Sequence, residues 1–114
     1  MYNNLLIFRN ELKNKVVSNY KLIGIISELI LSKLIFKKNS DIGFFLKEIF
    51  AIEYKEYIMK SRTSILAHTI RKISNNDIDF NKKKLLDFIN DKIEEIKKQD
   101  NIIDKKNDFN GWIK

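Results

Sequence analysis

The chain has 114 residues, of which 44% are hydrophobic and 32% charged, a balance typical of one globular domain and not of a disordered segment. It contains no cysteine, no proline and only three glycines, which argues against a disulfide framework, a thiolate metal site and a hairpin-rich β fold. The formal net charge of +7 favours acidic partners such as nucleic acid.

The lysine excess needs a correction for codon usage. Lysine, isoleucine and asparagine together make up 52 of the 114 residues, and all three are encoded by A/T-rich codons. Part of the positive charge therefore reflects an AT-rich genome. The three arginines carry more information, and two of them, Arg62 and Arg71, lie in one segment.

The hydrophobic periodicity predicts about five helices in a compact, single-domain, all-α bundle. Helix one is predicted over residues 4–17, and helix two over 20–36. Helix two is apolar around most of its circumference, which predicts a central position, with Gly24 at a close helix–helix approach. Helix three starts near Asp41, and whether it stops at Ala51 or continues into the next helix stays open at this point.

Helix four is predicted as one continuous helix over residues 54–73. Its spacing places four apolar or neutral residues and one arginine on the same side: Ile58, Arg62, Ile65, Thr69 and Ile73. A guanidinium on such a stripe requires partners. Either Arg62 pairs with a nearby carboxylate, Glu48 or Glu53, or a partner-binding surface is formed by Ser61, Arg62 and Thr69.

The opposite side of helix four carries small residues between cations, an arrangement that lets a phosphate backbone approach closely. The alternative is an ordinary solvated face. A second basic cluster lies at the start of helix five, which is predicted over residues 81–99. The candidate nucleic-acid-binding residues are Lys60, Ser64, Arg71, Lys72, Lys82, Lys83 and Lys84.

Arg62 and His68, with five residues between them, match the Arg-to-His spacing of HEPN ribonucleases, and the chain resembles that family in this pair and in its all-helical class. In that family the two residues from two protomers meet at a dimer cleft and act on RNA. The resemblance implies catalytic roles for Arg62 and His68, the latter being the only histidine in the chain. Five intervening residues, however, place the two on different sides of an unbroken helix.

The domain is predicted to end at residue 99, and residues 100–114 form a polar tail with an aromatic anchor. Phe109, Trp112 and Ile113 recur at one-turn spacing, and Trp112 is a candidate partner contact. No glycine-rich phosphate loop and no metal-ligand set occurs, so no cofactor and no metal are expected. The N-terminal residues lack signal-peptide features, and no long apolar run occurs, which predicts a cytoplasmic protein without a membrane partner.

These features favour a small non-enzymatic binding or regulatory protein that acts on nucleic acid or on a nucleoprotein complex, of the kind that phages and mobile elements use as inhibitors or accessory subunits. Two alternatives remain at this stage. One is a homo-oligomeric protein-interaction module whose interface includes Arg62 and Thr69, and the other is a HEPN-like ribonuclease.

Overall fold

The computed structural model describes the backbone of residues 1–113 and the side chains of residues 1–99. Over these residues the chain contains no strand and six α-helices: α1 (Tyr2–Leu12), α2 (Asn19–Leu31), α3 (Asn39–Phe50), α4 (Glu56–Met59), α5 (Arg62–Ser74) and α6 (Lys82–Ile113). The predicted all-α class is confirmed. The helix count is higher than about five because predicted helix four consists of two helices.

The helices form two groups around one core. α6 packs against α1 and α3, whereas α5 packs against α2 and α4, and α3 also contacts α4. Each helix contributes at least one buried side chain to a single hydrophobic cluster, as shown by Leu5, Ile26, Leu46, Ile58, Ile65 and Ile89. This burial is the main stabilisation of helices that are individually short.

The expected continuous helix over residues 54–73 is wrong, because the chain turns between α4 and α5. Ser61 has extended backbone angles (φ −131°, ψ 127°), and its Oγ accepts a hydrogen bond from the Ser64 backbone N–H at 3.4 Å. Ser61 is thus the N-cap of α5, which stabilises a new helix start at this position. Arg62, expected in mid-helix, is the first residue of α5.

Helix two is shorter than predicted and ends at Leu31, not at residue 36. Ser32 is extended, and its Oγ accepts from the Ile35 N–H at 3.4 Å. Ile35 and Phe36 are nevertheless buried, which explains why their hydrophobicity suggested a longer helix. α2 also has an open side, because Gly24 is exposed and has no atom within 4 Å of an added Cβ. The expected close helix approach at Gly24 is therefore wrong.

α3 ends at Phe50, which answers the question left open by the sequence. Ala51 adopts the left-handed conformation (φ 55°, ψ 37°), and the Ile52 N–H donates to the Leu46 carbonyl at 3.3 Å. A left-handed residue directly after the last turn is a common way for a helix to end, and glycine is the usual residue at that position.

The first and last helices also differ from their predicted bounds. α1 ends at Leu12 and not at residue 17. α6 starts one residue after the predicted start and is capped by Asn81, whose Oδ1 accepts from the Lys84 N–H at 3.1 Å. It continues past residue 99 to Ile113, in a segment that has no proline and no glycine before Gly111. Within the described chain, no helix combines the length and the hydropathy that a bilayer crossing requires.

Candidate functional site

The positive charge is concentrated in two segments of the sequence. Residues 1–40 contain seven Lys and Arg against two Asp and Glu, and residues 57–76 contain four against none. All other residues together hold 11 basic and 13 acidic side chains. Because α2 packs against α5, the fold brings the two basic segments together. Residues 19–38 and 57–76, which contain or flank α2 and α5, hold eight Lys and Arg and one Glu, so this side of the molecule has an excess of positive charge.

Arg62 joins these segments through hydrogen bonds to backbone carbonyl groups at the end of α2 and in the α2–α3 connection. Its Nη1 donates to the Ile30 carbonyl at 3.1 Å and to the Ser32 carbonyl at 3.3 Å. Its Nη2 donates to the Phe36 carbonyl, and its Nε donates to Asn39 Oδ1 at 3.2 Å. We call this set of contacts the Arg62 clamp. It gives a partner to the Ile30 carbonyl, which lies in the last turn of α2, where carbonyl groups have no intrahelical donor.

The clamp corrects the expected pairing of Arg62 with a carboxylate. The predicted partners do not contact it: Glu48 pairs with Lys84 at 3.5 Å, and Glu53 pairs with Lys47 at 2.7 Å. A planar guanidinium with several donors suits a group of carbonyls, which offer acceptors without the cost of a second buried charge.

Asn39 extends the clamp to the turn between α4 and α5. Its Nδ2 donates to the Met59 carbonyl at 2.9 Å, while its Oδ1 accepts from Arg62. The residues next to these contacts, Lys38 and Lys60, are therefore held at the same end of α5. Both are exposed, and neither forms an ion pair within the described part of the chain.

We define the basic surface as the exposed cations that flank the Arg62 clamp together with the exposed arginine of α5. None of them forms an ion pair with a described residue. The basic surface consists of Lys33, Lys37, Lys38, Lys60 and Arg71. Lys60 and Arg71 were predicted from the sequence, whereas the three lysines of the α2–α3 connection were not. The acid-free run over residues 29–40 is the signal that identifies them.

The side chains next to Arg71 on the outer side of α5 are small. Ser64, Ala67 and Arg71 lie within about 60° of one another around the helix axis. Ala67 and Arg71 are exposed, and Ser64 is half-buried. Lys72, predicted as a further phosphate contact, is half-buried and lies 3.8 Å from Asp77 Oδ2, so part of its charge is compensated.

The second predicted basic cluster lies elsewhere. Lys82, Lys83 and Lys84 belong to α6, which packs against α1 and α3 and not mainly against α5. Lys82 donates to the Asn14 carbonyl, and Lys84 pairs with Glu48, whereas Lys83 is exposed. The structure does not bring this cluster together with the basic surface.

The predicted partner-binding stripe is largely internal. Thr69 is fully buried, and its hydroxyl donates to the Ile65 carbonyl at 2.7 Å. Because that bond uses the only hydroxyl proton of Thr69, the Tyr54 hydroxyl donates to Thr69 Oγ1 at 2.9 Å. Thr69 therefore stabilises the core and does not reach a partner, while Ser61 is exposed and caps α5. The side chain of Trp112 lies outside the described residues.

The ribonuclease pair is separated in the structure. Arg62 and His68 lie six residues apart on α5, which places them about 120° apart around its axis. The Arg62 guanidinium is engaged by the clamp. His68 Nδ1 lies 2.8 Å from the Ser64 carbonyl oxygen and donates to it, and the imidazole meets the Tyr54 ring edge-on at 5.8 Å. This geometry gives both residues structural contacts and gives the ribonuclease hypothesis no support.

Tyr54, which is half-buried, has a shifted pKa. Burial raises the pKa of the Tyr54 hydroxyl above its usual value, and the hydrogen bond with Thr69 opposes this shift in part. In the part of the chain that the structure describes, no group of three His, Asp or Glu side chains has an arrangement that would hold a metal ion.

Comparison with known proteins gives this chain no relative. No protein-family model, no curated protein and no solved structure matches it. The assignment of a function therefore depends on the charge distribution and contacts described above.

Proposed function

We propose that this protein binds the phosphate backbone of nucleic acid through the basic surface, as a non-enzymatic binding or regulatory protein of a nucleic acid or nucleoprotein complex. The observation that carries the proposal is the separation of charge. Residues 19–38 and 57–76, which meet where α2 packs against α5, hold eight of the 22 basic side chains and only one of the 15 acidic ones. Clustered cations without nearby carboxylates supply most of the free energy of sequence-independent phosphate binding.

The contacts around Arg62 support the same proposal. The clamp holds the α2–α3 connection against the start of α5, so Lys38 and Lys60 are kept at one end of that helix. Cations on a fixed framework lose less conformational entropy on binding than cations on a free loop. The small side chains Ser64 and Ala67 between Lys60 and Arg71 leave room for close backbone approach.

The proposal is tested by titrating the full chain into a labelled DNA duplex and a labelled RNA of equal length, at several salt concentrations. If about four cations contact phosphates, the affinity is expected to fall about 100-fold between 50 and 200 mM salt. The triple variant Lys37→Glu, Lys38→Glu, Lys60→Glu is expected to abolish measurable binding.

A matched variant controls for total charge. Lys47→Glu, Lys97→Glu, Lys98→Glu makes the same charge change at exposed positions of α3 and α6. It is expected to retain most of the affinity, apart from the long-range effect of a lower net charge. Equal losses in the two triple variants, or binding that does not weaken with salt, would contradict the proposal.

A further inference from the structure

A groove between α3 and α6 combines an aromatic floor with acidic walls, and it borders the α2–α3 connection, where Asp41 Oδ2 accepts a hydrogen bond from the Lys38 N–H at 3.3 Å. Its volume is about 590 Å³. Phe36, Phe45 and Phe88 stack with ring centroids 4.6 to 5.6 Å apart and form its apolar floor. Phe44 also lines the groove and leaves 71% of its surface exposed. A large aromatic side chain exposed next to an apolar groove is typical of an interaction site.

The walls of the groove are negative although the protein is strongly positive. Four carboxylates and two lysines line it. Lys84 pairs with Glu48. Lys92 pairs with Glu95, a residue that does not line the groove, and the Lys92 Nζ lies 5.5 Å from the centroid of the Phe88 ring. Asp87 and Asp91 form no ion pair with any described residue. The groove therefore has unpaired negative charge along α6.

We propose that this groove binds a cationic amphipathic helix of a partner protein. Asp41 and Glu48 lie about two turns apart on α3, roughly 10 Å, and Asp87 and Asp91 lie about one turn apart on α6. The two acidic walls thus follow the directions of two helices that flank an apolar floor. A helix with apolar residues at i, i+3, i+4 and i+7 places those residues on such a floor, and lysines or arginines on its flanks reach both walls.

A second copy of this chain does not supply such a helix from its basic side. The exposed side of α5 combines Arg71 with Ser64 and Ala67, which are not apolar anchors. The lysines at residues 33–38 lie in a connection between helices. We therefore assign the groove to a helix of a different protein, and the oligomeric state of the chain tests the alternative of a second copy. This inference does not rest on nucleic-acid binding, and it concerns the carboxylates of α3 and α6 and not the exposed lysines.

The test uses a fluorescein-labelled model peptide of about 18 residues, with leucines at helical spacing and lysines on both flanks, and a matched peptide with glutamate in place of lysine. Fluorescence anisotropy with the full chain, in the absence of nucleic acid, measures both affinities. The lysine peptide is expected to bind and the glutamate peptide is not. Asp87→Lys with Asp91→Lys is expected to weaken binding about tenfold or more.

Two further variants separate the groove from general charge effects. Glu28→Lys with Glu56→Lys makes the same charge change at exposed positions outside the groove, and is expected to keep the affinity within about twofold. Phe44→Ser removes the exposed aromatic contact and is expected to weaken binding without unfolding the chain, which circular dichroism checks.

Three results would overturn the proposal. The first is equal binding of the lysine and glutamate peptides. The second is that the Asp87/Asp91 and Glu28/Glu56 double variants bind the lysine peptide with equal affinity and that Phe44→Ser binds it as tightly as the wild-type chain. The third is self-association of the wild-type chain in sedimentation analysis that Asp87→Lys with Asp91→Lys abolishes, since that would assign the groove to a second copy.

Discussion

Replacement of Arg62 by alanine tests the role that the structure gives to the clamp. The change removes hydrogen bonds to the Ile30, Ser32 and Phe36 carbonyls and to Asn39 Oδ1. A hydrogen bond to a charged group contributes roughly 1.5–3 kcal/mol, and carbonyls left without a partner add a penalty where water does not reach them. Because Arg62 is half-buried, water replaces some of these bonds, and we expect a net loss of about 2–4 kcal/mol in the free energy of unfolding.

Urea denaturation followed by circular dichroism measures this loss. For a domain of this size it corresponds to a decrease of about 1–2 M in the urea midpoint. Arg71→Ala is the matched control, because Arg71 is exposed and its removal is expected to change stability by less than about 0.5 kcal/mol. Arg62→Lys is expected to recover only part of the stability, since one ammonium cannot reproduce the guanidinium fork. If Arg62→Ala were as stable as Arg71→Ala, the clamp would not stabilise the fold.

Four further substitutions test other parts of the fold by the same measurement. Gly24→Ala is expected to stabilise by about 0.5–1 kcal/mol, because Gly24 lies inside α2 and an added Cβ meets no atom within 4 Å; a loss of stability would show that the position is packed. Ala51→Gly is expected to stabilise by up to about 1 kcal/mol, because Ala51 has φ 55°, and no gain would mean that the chain tolerates this conformation without strain. Thr69→Val is expected to lower the free energy of unfolding by about 1–3 kcal/mol, because it leaves the Tyr54 hydroxyl without its acceptor. Adding Tyr54→Phe should then restore part of the loss. If the losses of the two single variants simply added in the double variant, the hydrogen bond would be contradicted. The raised pKa of Tyr54 means that the folded state favours the neutral hydroxyl. The contribution of Tyr54 to the free energy of unfolding is therefore complete below about pH 10 and is lost as the pH rises through the folded-state pKa. Tyr54→Phe should accordingly reduce the loss of stability at alkaline pH.

The predicted fold class was right, but the ends of several helices were wrong, because local caps and turns decided them. The all-α class and the approximate positions of α1, α2, α3 and α6 followed from spacing. The break at Ser61 did not, because a serine between two helical segments is compatible with either a continuous helix or an N-cap. The choice between them depends on contacts made elsewhere, here on the carbonyls that Arg62 reaches.

In the candidate site, too, some residues were predicted from the sequence and others were identified only from the structure. Lys60 and Arg71 were predicted from one segment alone, and both are exposed. Lys33, Lys37 and Lys38 were missed because they lie in a connection that is distant in sequence, and only the packing of α2 against α5 brings them near Lys60. Thr69 was expected at an interface, but it is buried in the core, since periodicity identifies a helix face without telling what covers it.

Composition and spacing by themselves determined the helical class, the excess of positive charge and the special position of Arg62, a guanidinium on an otherwise apolar stripe. These are properties of neighbouring residues along one chain, which elementary propensities and charges already fix. Only the tertiary structure shows which groups accept the hydrogen bonds of Arg62 and which lysines form one basic surface. It alone also shows the groove with acidic walls between α3 and α6. Each of these depends on residues 20 or more positions apart, whose proximity results from the burial of a shared core and not from any local preference.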